Sequence, residues 1–322
     1  MAGIFSKGKK LLKNGNYKEL SKKTVDYVRF IVVKIWYLAT FKETDSDLKK
    51  VNKNWVFYTY LKAKYKYFLS SYKRIENKIH EYSDFVWWCW LQGEENAPEL
   101  CKACLESVRR KMPNKKIVVI TNENLYDYVD FPDFIKEKYK NGKISNTHFS
   151  DLIRLQLLIK YGGTWIDATV FCSDYPEYAF NTPLFVFKTS EKNDPATVAQ
   201  NWFMSTEKNE PILTLTRDLL FDYWNTHNNA IHYFIFYFFM KLAADFYKEE
   251  WNNVPWFSDL PPHIMQRELN MPYSGVRWQQ LCRMSDIHKL SYKIVVNKNE
   301  DTFYKHLLNS KTYRHKGILI EK

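Results

Sequence analysis

Two acids and an arginine lie close together in the chain, and their side chains could bind a ligand that carries both hydroxyl and phosphate groups. Asp151 and Arg154 are followed by the glycine pair Gly162 and Gly163, and Asp167 comes shortly afterwards. A carboxylate accepts hydrogen bonds from hydroxyl groups, whereas a guanidinium donates a planar fork of them. This combination indicates a site for a phosphorylated sugar.

The first two of these residues should lie on one helix. The leucines of DLIRLQLLIKY repeat at helical spacing, which predicts a helix over residues 146–160 that begins at Asn146 or Thr147 as the capping residue. Asp151 and Arg154 are three positions apart, so they share a face of that helix. An ordinary surface ion pair is the alternative interpretation of such a spacing.

The glycine pair and the residues after it predict a reversal into a buried strand. Gly162 and Gly163 can adopt the left-handed conformation that ends a helix, although they could be no more than a C-cap. Residues 164–171 are rich in β-branched and aromatic types, which favours one strand. Asp167 then falls in or just after a hydrophobic run, where an unpaired carboxylate would cost roughly several kcal/mol. We therefore expect a cation at this strand end.

The run SDLIRLQLLIKYGGTWIDATV resembles the signature of glycosyltransferases with the GT-A fold. The relevant group contains bacterial capsular polysaccharide synthesis enzymes and the glucosylating domains of large clostridial toxins. The resemblance implies that Asp151 and Arg154 hold sugar hydroxyls and that Asp167 contacts the nucleotide or its metal. These three are the predicted catalytic residues.

The same resemblance implies a divalent metal, Mn²⁺ or Mg²⁺, which would neutralise the charge that grows on the departing diphosphate. The motif of the family is Asp-x-Asp, but Thr169 stands where the second Asp is usual, as in the capsular branch. The metal must then use other ligands. The predicted set is Asp167, Thr169, Asp174 and the distant His288.

The resemblance extends, less specifically, from Asp84 to Lys293. Residues 84–129 resemble the first strand, helix and second strand of these enzymes, and residues 288–293 resemble their final strand. Asn201 and Trp202 lie in the region that usually meets the acceptor. Any one of the tryptophans of the first strand is more often a core residue than a platform for the base, because a strand buries one face. The predicted donor-binding residues are Trp87, Trp88, Trp90, Gln92, Asp151, Arg154, Gly162, Gly163, Trp165 and Asp167.

Strands and helices alternate from about residue 82 to residue 297, which predicts an α/β fold with a mainly parallel, Rossmann-like sheet flanked by helices. By resemblance the fold is of GT-A type with an N-terminal helical extension. The predicted organisation is a basic helical leader (1–80), a catalytic domain (81–297) and a basic tail (298–322). Ligands bind beyond the carboxyl ends of such strands, where the Trp87 and Trp165 strands end.

Composition restricts the partners and the compartment. The chain has 322 residues and a net charge of +12, which suits a nucleotide diphosphate, an anionic membrane surface or nucleic acid. Lysines and aromatics mix in the leader, which fits either an interfacial membrane helix or a solvated extension that packs on the catalytic domain. The apolar run 28–41 is too short to span a bilayer. Five cysteines, an odd number, favour a reducing compartment.

These observations predict a cytoplasmic glycosyltransferase, peripheral at the inner face of the cell membrane, that takes part in bacterial capsule synthesis. It would transfer galactose or glucose from the UDP form to a lipid-linked oligosaccharide, with retention by resemblance, and would not bind nucleic acid. One alternative keeps the chemistry but uses a protein acceptor, as in the toxins. Another is a non-enzymatic protein that binds nucleic acid or polysaccharide, which leaves the acids and the arginine unexplained.

Overall fold

The structure, a computed structural model, describes residues 46–76, 80–296 and 301–309, together with Val32. The α-helices there are α1 (Ser46–Lys64), α2 (Lys66–Ser71), α3 (Glu99–Lys111), α4 (Leu125–Tyr128), α5 (Asp133–Lys140), α6 (Asn146–Tyr161), α7 (Pro211–Thr226), α8 (Ile235–Phe246), α9 (Lys248–Asn253), α10 (Ile264–Glu268), α11 (Gly275–Met284) and α12 (Phe303–Asn309). The strands are β1 (Phe85–Cys89), β2 (Lys116–Ile120), β3 (Gly163–Ile166), β4 (Val170–Cys172), β5 (Leu184–Lys188), β6 (Ala199–Thr206) and β7 (Ile287–Lys289).

Five strands form the central sheet, in the order β2-β1-β3-β6-β5. β1 pairs in parallel with both β2 and β3, whereas β6 is antiparallel to both β3 and β5. Four of these strands therefore run in the same direction, which confirms the prediction of an α/β fold with a mainly parallel sheet. Because β6 is reversed, it begins at the sheet edge where β1 and β3 end.

The prediction of one continuous strand over residues 164–171 is wrong, because the structure has two strands there. The chain pairs with β1 and β6 only over β3, then turns, with the Val170 N–H donating to the Asp167 carbonyl at 2.9 Å. β4 follows and pairs antiparallel with β7 in a separate two-stranded sheet. Aspartate and threonine side chains favour such a turn. Asp167 is consequently held at the junction between the two sheets.

Helix α6 begins one residue earlier than its predicted caps allow. Ser145, rather than Asn146 or Thr147, is the N-cap, and its Oγ accepts a hydrogen bond from the His148 N–H at 3.3 Å. Gly162 ends the helix with φ 65° and donates its N–H to the Leu158 carbonyl at 2.8 Å. This confirms the predicted helix stop.

The two faces of the sheet are covered by different helices. Trp87 and Trp165 lie on the same face and belong to a core that α6, α7 and α8 complete. Val86 and Ile166 point to the opposite face, where they pack with Val108 of α3. This alternation follows from the two-residue period of a strand. Each fully buried large side chain contributes roughly 1.5–3 kcal/mol to folding.

The described end of the predicted leader packs on the rest of the molecule. Tyr58 and Leu61 of α1 are buried in the main core, and the Tyr58 hydroxyl donates to Asp245 of α8. Asn54 donates to the Asp194 carboxylate at 2.8 Å. Residues 46–76 thus form a packed extension, and membrane association of the preceding residues, of which the structure describes only Val32, stays a prediction. Within the described ranges, no helix has both the length and the apolar character needed to cross a bilayer.

The described part of the predicted C-terminal tail also packs on the molecule. Phe303 and Leu307 of α12 are buried against Leu100 of α3 and Leu290, which follows β7. Residues 301–309 therefore help to hold α3 and β7 together. The remaining residues of the tail lie outside the described part of the chain, and its boundary stays a prediction.

Candidate active site

Arg154 lies at the centre of the predicted site. Its Nη2 atom is 3.4 Å from Oδ1 of Asp151 and 3.4 Å from Oδ1 of Asp167. Nη1 donates to the Asn201 backbone carbonyl, and the guanidinium plane lies over the Trp165 ring with its carbon 4.9 Å from the ring centroid. One arginine is therefore shared by both carboxylates, and the structure brings the three predicted catalytic side chains together.

Asp151 lies on α6 and is held by Asn201 of β6, which is itself held by Tyr237 of α8. Its Oδ1 accepts a hydrogen bond from Asn201 Nδ2 at 2.9 Å, and the Asn201 side-chain carbonyl accepts one from the Tyr237 hydroxyl at 2.7 Å. Burial and the charge of Asp151 raise the pKa of Tyr237 well above its ordinary value. The hydroxyl therefore stays protonated and fixes the orientation of the Asn201 amide.

Asp167 is positioned by its own backbone and by two side-chain donors. Its N–H donates to the Trp202 carbonyl of β6 at 2.8 Å. Oδ1 accepts from Trp165 Nε1 at 2.8 Å, and Oδ2 accepts from Lys289 Nζ at 2.8 Å. Lys289 Nζ also donates to Thr169 Oγ1 at 2.7 Å. The strand end is thus closed by an ammonium that β7 supplies.

The electrostatics favour an ionised Asp167. Burial raises the pKa of its carboxyl, but the charges of Lys289 and Arg154 and the hydrogen bonds from Lys289 and Trp165 together lower it by more, so the pKa lies below its ordinary value. Cys89, at the end of β1, responds differently because burial dominates and raises the pKa of its thiol to about 12. At neutral pH the site therefore contains a carboxylate and a neutral thiol.

Exposure differs across the site. The side chains of Asp151 and Arg154 are only 6% and 5% exposed, whereas those of Asp167 and Lys289 are 24% and 19% exposed. A ligand can therefore reach Asp167 and Lys289 directly, and it meets Arg154 and Asp151 behind them. His148 adds a further polar atom, since its buried Nδ1 has no hydrogen-bond partner among the described residues and lies 3.7 Å from Asp151 Oδ2.

Of the four predicted metal ligands, Asp167 and Thr169 share a contact with Lys289, whereas Asp174 and His288 have other partners. The Asp174 carboxylate is 70% exposed and lies 3.3 Å from Lys111 Nζ of α3. His288 Nε2 is 3.0 Å from Ser173 Oγ, and burial lowers the pKa of the imidazole to about 3. Because strand neighbours alternate, Lys289 rather than His288 faces Asp167. Across the three described ranges, no group of three or more His, Cys, Asp or Glu side chains is arranged to hold a metal ion.

The tryptophans predicted to bind the donor divide into buried and accessible members. Trp87 and Trp88 are fully buried, and Trp87 Nε1 donates to the Gly162 carbonyl at 2.9 Å, so neither reaches a ligand. Both are core residues because β1 is covered on its two faces. Trp90 is partly exposed beyond the strand and makes an edge contact with Tyr292, with 5.7 Å between ring centroids. Gln92 is exposed next to it.

The remaining predicted donor-binding residues have packing roles. Gly162 and Gly163 are buried, and a Cβ on Gly163 would lie 2.3 Å from the Phe85 carbonyl oxygen. Gly163 therefore lets β3 approach β1, whereas a Cβ on Gly162 would lie 3.1 Å from the Thr206 carbonyl oxygen of β6. Contact of either glycine with the donor stays a prediction. Trp165 is 1% exposed and acts on the site through its hydrogen bond to Asp167 and through its ring, which the Arg154 guanidinium overlies.

The two residues predicted for the acceptor region are both buried. Trp202 is 2% exposed and stacks on Phe187, with 4.8 Å between ring centroids. Asn201 is 8% exposed and instead joins Asp151, Arg154 and Tyr237. It reaches them because β6 starts at the edge where β3 ends.

Sequence reasoning missed Lys289, Tyr237 and His148. Lys289 belongs to the HKLSYK segment that resembles the final strand of the family, but the predicted ligand there is its neighbour His288. The sequence contains no signal for choosing between them, because strand alternation says that only one faces Asp167 without saying which. Tyr237 lies in a run crowded with aromatic residues and has no distinguishing feature there.

Two surface hollows of the described chain lie elsewhere. One, of about 530 Å³, is lined by residues of α5 and α7 that include Lys136 and Arg217. The other, of about 320 Å³, contains His80, Glu207 and Glu210. None of the three predicted catalytic residues lines either hollow, so their positions do not bear on the site around Arg154.

A family model and a curated protein with a similar sequence agree with the sequence signature. A family model described as "Capsular polysaccharide synthesis protein" matches residues 38–307. Among curated proteins, O-glycosyltransferase braB from Annulohypoxylon truncatum is 26% identical over 165 residues, which cover 45% of this chain and 38% of that protein. Among solved structures, one titled PaToxG Glycosyltransferase aligns with a TM-score of 0.39 and 14% identity, over 61% of this chain and 79% of that one.

Proposed function

The chain belongs to the capsular polysaccharide synthesis protein family, and from this premise we propose that it is a glycosyltransferase that uses a nucleotide-activated hexose. The donor would be UDP-galactose or UDP-glucose, and the fold would be a variant of the GT-A type. The name of the curated relative, an O-glycosyltransferase, supports the reaction class. That match spans 38% of the relative, so it does not extend to the whole of that protein's activity.

The observation that carries the proposal is the sharing of Arg154 between Asp151 and Asp167, at distances of 3.4 Å to each carboxylate. A buried ion pair such as that of Arg154 with Asp151 is costly to maintain, and replacing such a pair with apolar residues is often neutral or stabilising. A network of this kind, placed beyond the carboxyl ends of parallel strands, fits a ligand site better than a stability device. Asp151, Arg154 and Asp167 are also the residues of the sequence signature that the family resemblance assigns to the sugar donor.

The reaction requires accurate positioning and stabilisation of negative charge. The bond between the anomeric carbon and the diphosphate breaks, and its electron pair remains on the phosphate oxygen. An acceptor hydroxyl oxygen forms the new bond to that carbon and releases its proton to solvent. Asp151 and Arg154 would orient the sugar through its hydroxyls, and Asp167 would contact the nucleotide. Asn201 would hold Asp151 and Arg154 in place.

We propose the acceptor on the basis of the family and the location of the protein on the basis of the family and its charge. A lipid-linked oligosaccharide acceptor would be presented at the inner face of a bacterial cell membrane. The net charge of +12 supports attraction to that surface. Retention of the anomeric configuration is also part of the proposal, on the basis of the family resemblance. The metal requirement predicted from the sequence remains a prediction.

The test is hydrolysis or transfer of the hexose from UDP-glucose and UDP-galactose, measured as UDP release by the full chain with and without Mn²⁺. We expect slow turnover with one of them and loss of that turnover in Asp167→Ala. Asp174→Ala is the matched control, because it removes an exposed carboxylate that contacts Lys111 and not the site. Equal activity in Asp167→Ala and the wild type would remove the assignment.

A further inference from the structure

Lys289 stands where a metal cation was expected from the sequence. Its Nζ lies 2.8 Å from Asp167 Oδ2 and 2.7 Å from Thr169 Oγ1. These are the first and third residues of the DAT motif, the two positions at which the family motif usually places metal-binding acids. The ammonium has three N–H donors, and these contacts use two of them. Its side chain is 19% exposed, so the third donor can reach a ligand.

The residues around Asp167 do not suit a divalent metal. Mg²⁺ prefers an octahedral set of oxygen ligands, and protein sites usually supply one or two carboxylates. Thr169 removes the second carboxylate of the motif, and Asp174 is held on the surface by Lys111. A metal on Asp167 Oδ2 would also meet the Lys289 ammonium 2.8 Å from that oxygen, and two cations so close repel strongly.

The charge balance shows what Lys289 contributes. The carboxylates of Asp151 and Asp167 are balanced by Arg154 and Lys289, which are within 3.4 Å of them. Without Lys289 the group would carry one net negative charge next to any anionic ligand. Arg154 is bound on several sides and nearly buried, so the ammonium is the more accessible of the two cations.

We infer that Lys289 binds the diphosphate of the nucleotide donor and takes the place of a divalent metal in this chain. The inference rests on the proposed glycosyl transfer and specifies how its leaving group is held. As the bond between the anomeric carbon and the phosphate oxygen breaks, the electron pair stays on the diphosphate, and the third N–H of Lys289 donates to the oxygen that gains charge. Asp167 and Thr169 hold the ammonium in position.

Binding of two probes, UDP and inorganic pyrophosphate, tests this by calorimetry on the full chain in excess EDTA. The wild type should bind at least one of them without metal, and Lys289→Met should bind about tenfold or more weakly, since a charge-assisted contact is lost. Lys289→Arg keeps the cation and should bind within about threefold of the wild type. Lys143→Met removes an exposed lysine and should leave binding unchanged.

Two outcomes would overturn the inference. One is that the wild type binds neither probe without metal, whether or not Mn²⁺ or Mg²⁺ restores binding. The other is equal affinity in Lys289→Met and the wild type. If Lys289→Met does not fold, the metal independence of the wild type and the affinity of Lys289→Arg decide.

The activity assay separates this inference from the proposed function. Turnover of a UDP-hexose that persists in EDTA supports both. Turnover that EDTA abolishes and Mn²⁺ restores would contradict the role of Lys289 while leaving glycosyl transfer intact. Absence of turnover with UDP-glucose and UDP-galactose, with or without metal, would contradict the proposed function, and the binding of pyrophosphate would still decide the role of Lys289.

Discussion

The Nη2 atom of Arg154, which lies on α6, is 3.4 Å from Oδ1 of Asp167, which follows β3. These residues are separated by a helix end and a short strand, and the glycine pair between them makes the reversal possible. The contact joins a carboxylate that a ligand can reach to an arginine that is almost buried. A change at Arg154 should therefore affect ligand binding without altering the exposed surface.

Arg154→Lys tests the sharing of the guanidinium. A lysine keeps the charge but cannot donate to Asp151, Asp167 and the Asn201 carbonyl at once, because it lacks the planar fork. We expect UDP release from the active UDP-hexose to fall by about 100-fold, similar to the loss of one oriented donor in other enzymes. Circular dichroism should show that the fold is retained.

Arg217→Lys is the matched control, because Arg217 on α7 pairs with Asp218 away from the site. Its turnover should equal that of the wild type. Wild-type turnover in Arg154→Lys would show that the fork is not needed.

Tyr237→Phe tests the orientation of Asn201. The substitution removes the hydroxyl that donates to Asn201 Oδ1 at 2.7 Å and leaves a buried acceptor unsatisfied. The free energy of unfolding should fall by about 1–3 kcal/mol, measured by urea denaturation. Turnover should fall as well, because a free Asn201 no longer holds Asp151. Tyr233→Phe, at a residue that is 62% exposed, should change neither quantity.

Gly163→Ala tests the close approach of β3 to β1. Gly163 has φ 89°, and a Cβ there would lie 2.3 Å from the Phe85 carbonyl oxygen. Gly142 has φ 64° but no atom within 4 Å of the position that a Cβ would take, so Gly142→Ala shares the backbone strain without the clash. Gly142→Ala should cost about 1 kcal/mol of unfolding free energy. Gly163→Ala should cost several times more, and equal losses in the two variants would argue against the tight approach.

Glu210 predicts a pH dependence of stability. Its side chain is buried at the start of α7, and burial raises the pKa of its carboxyl to about 8 against the hydrogen bonds from the helix N–H groups. The folded state then binds the proton more tightly than the unfolded state does. Its contribution to the free energy of unfolding is present in full below the ordinary pKa of glutamate and is lost as the pH rises towards 8.

Glu210→Gln keeps an acceptor for the Leu213 N–H and has no charge to bury. Urea denaturation at several pH values should show the variant gaining stability relative to the wild type between about pH 4.5 and 8. The difference between the two proteins cancels the contributions of His232 and His288 to the pH dependence of stability, because both proteins contain these residues. Their lowered pKa values make stability rise with pH in the acid range, which is opposite to the effect of Glu210. Parallel curves for the two proteins would contradict a raised pKa at Glu210.

Deletion of residues 1–45 tests the predicted membrane association of the leader. That segment, apart from Val32, lies outside the described residues, and its lysines are expected to bind anionic headgroups. The truncated chain should no longer sediment with phosphatidylglycerol vesicles, and it should still release UDP from the donor. Undiminished sedimentation would place the membrane contact elsewhere, and neutral phosphatidylcholine vesicles provide the control.

Local patterns in the sequence determined much of the outcome. The leucine spacing and the glycine pair predicted helix α6 and its end, because helical period and positive φ are properties of short segments. The same segment placed Asp151, Arg154 and Asp167 near one another, since a helix, a reversal and a parallel strand leave little choice of geometry. The family signature on these residues was therefore matched by a compact site.

Tertiary structure decided which other side chains complete that site. β7 brings Lys289 to Asp167 across a separate two-stranded sheet, and the reversed β6 brings Asn201 to Asp151. Both contacts join residues that are far apart in the chain. Which residues meet depends on the strand register and on which face of β7 turns inward. A shift of one residue would have presented His288 instead, so the identity of the cation at Asp167 is a property of the folded molecule.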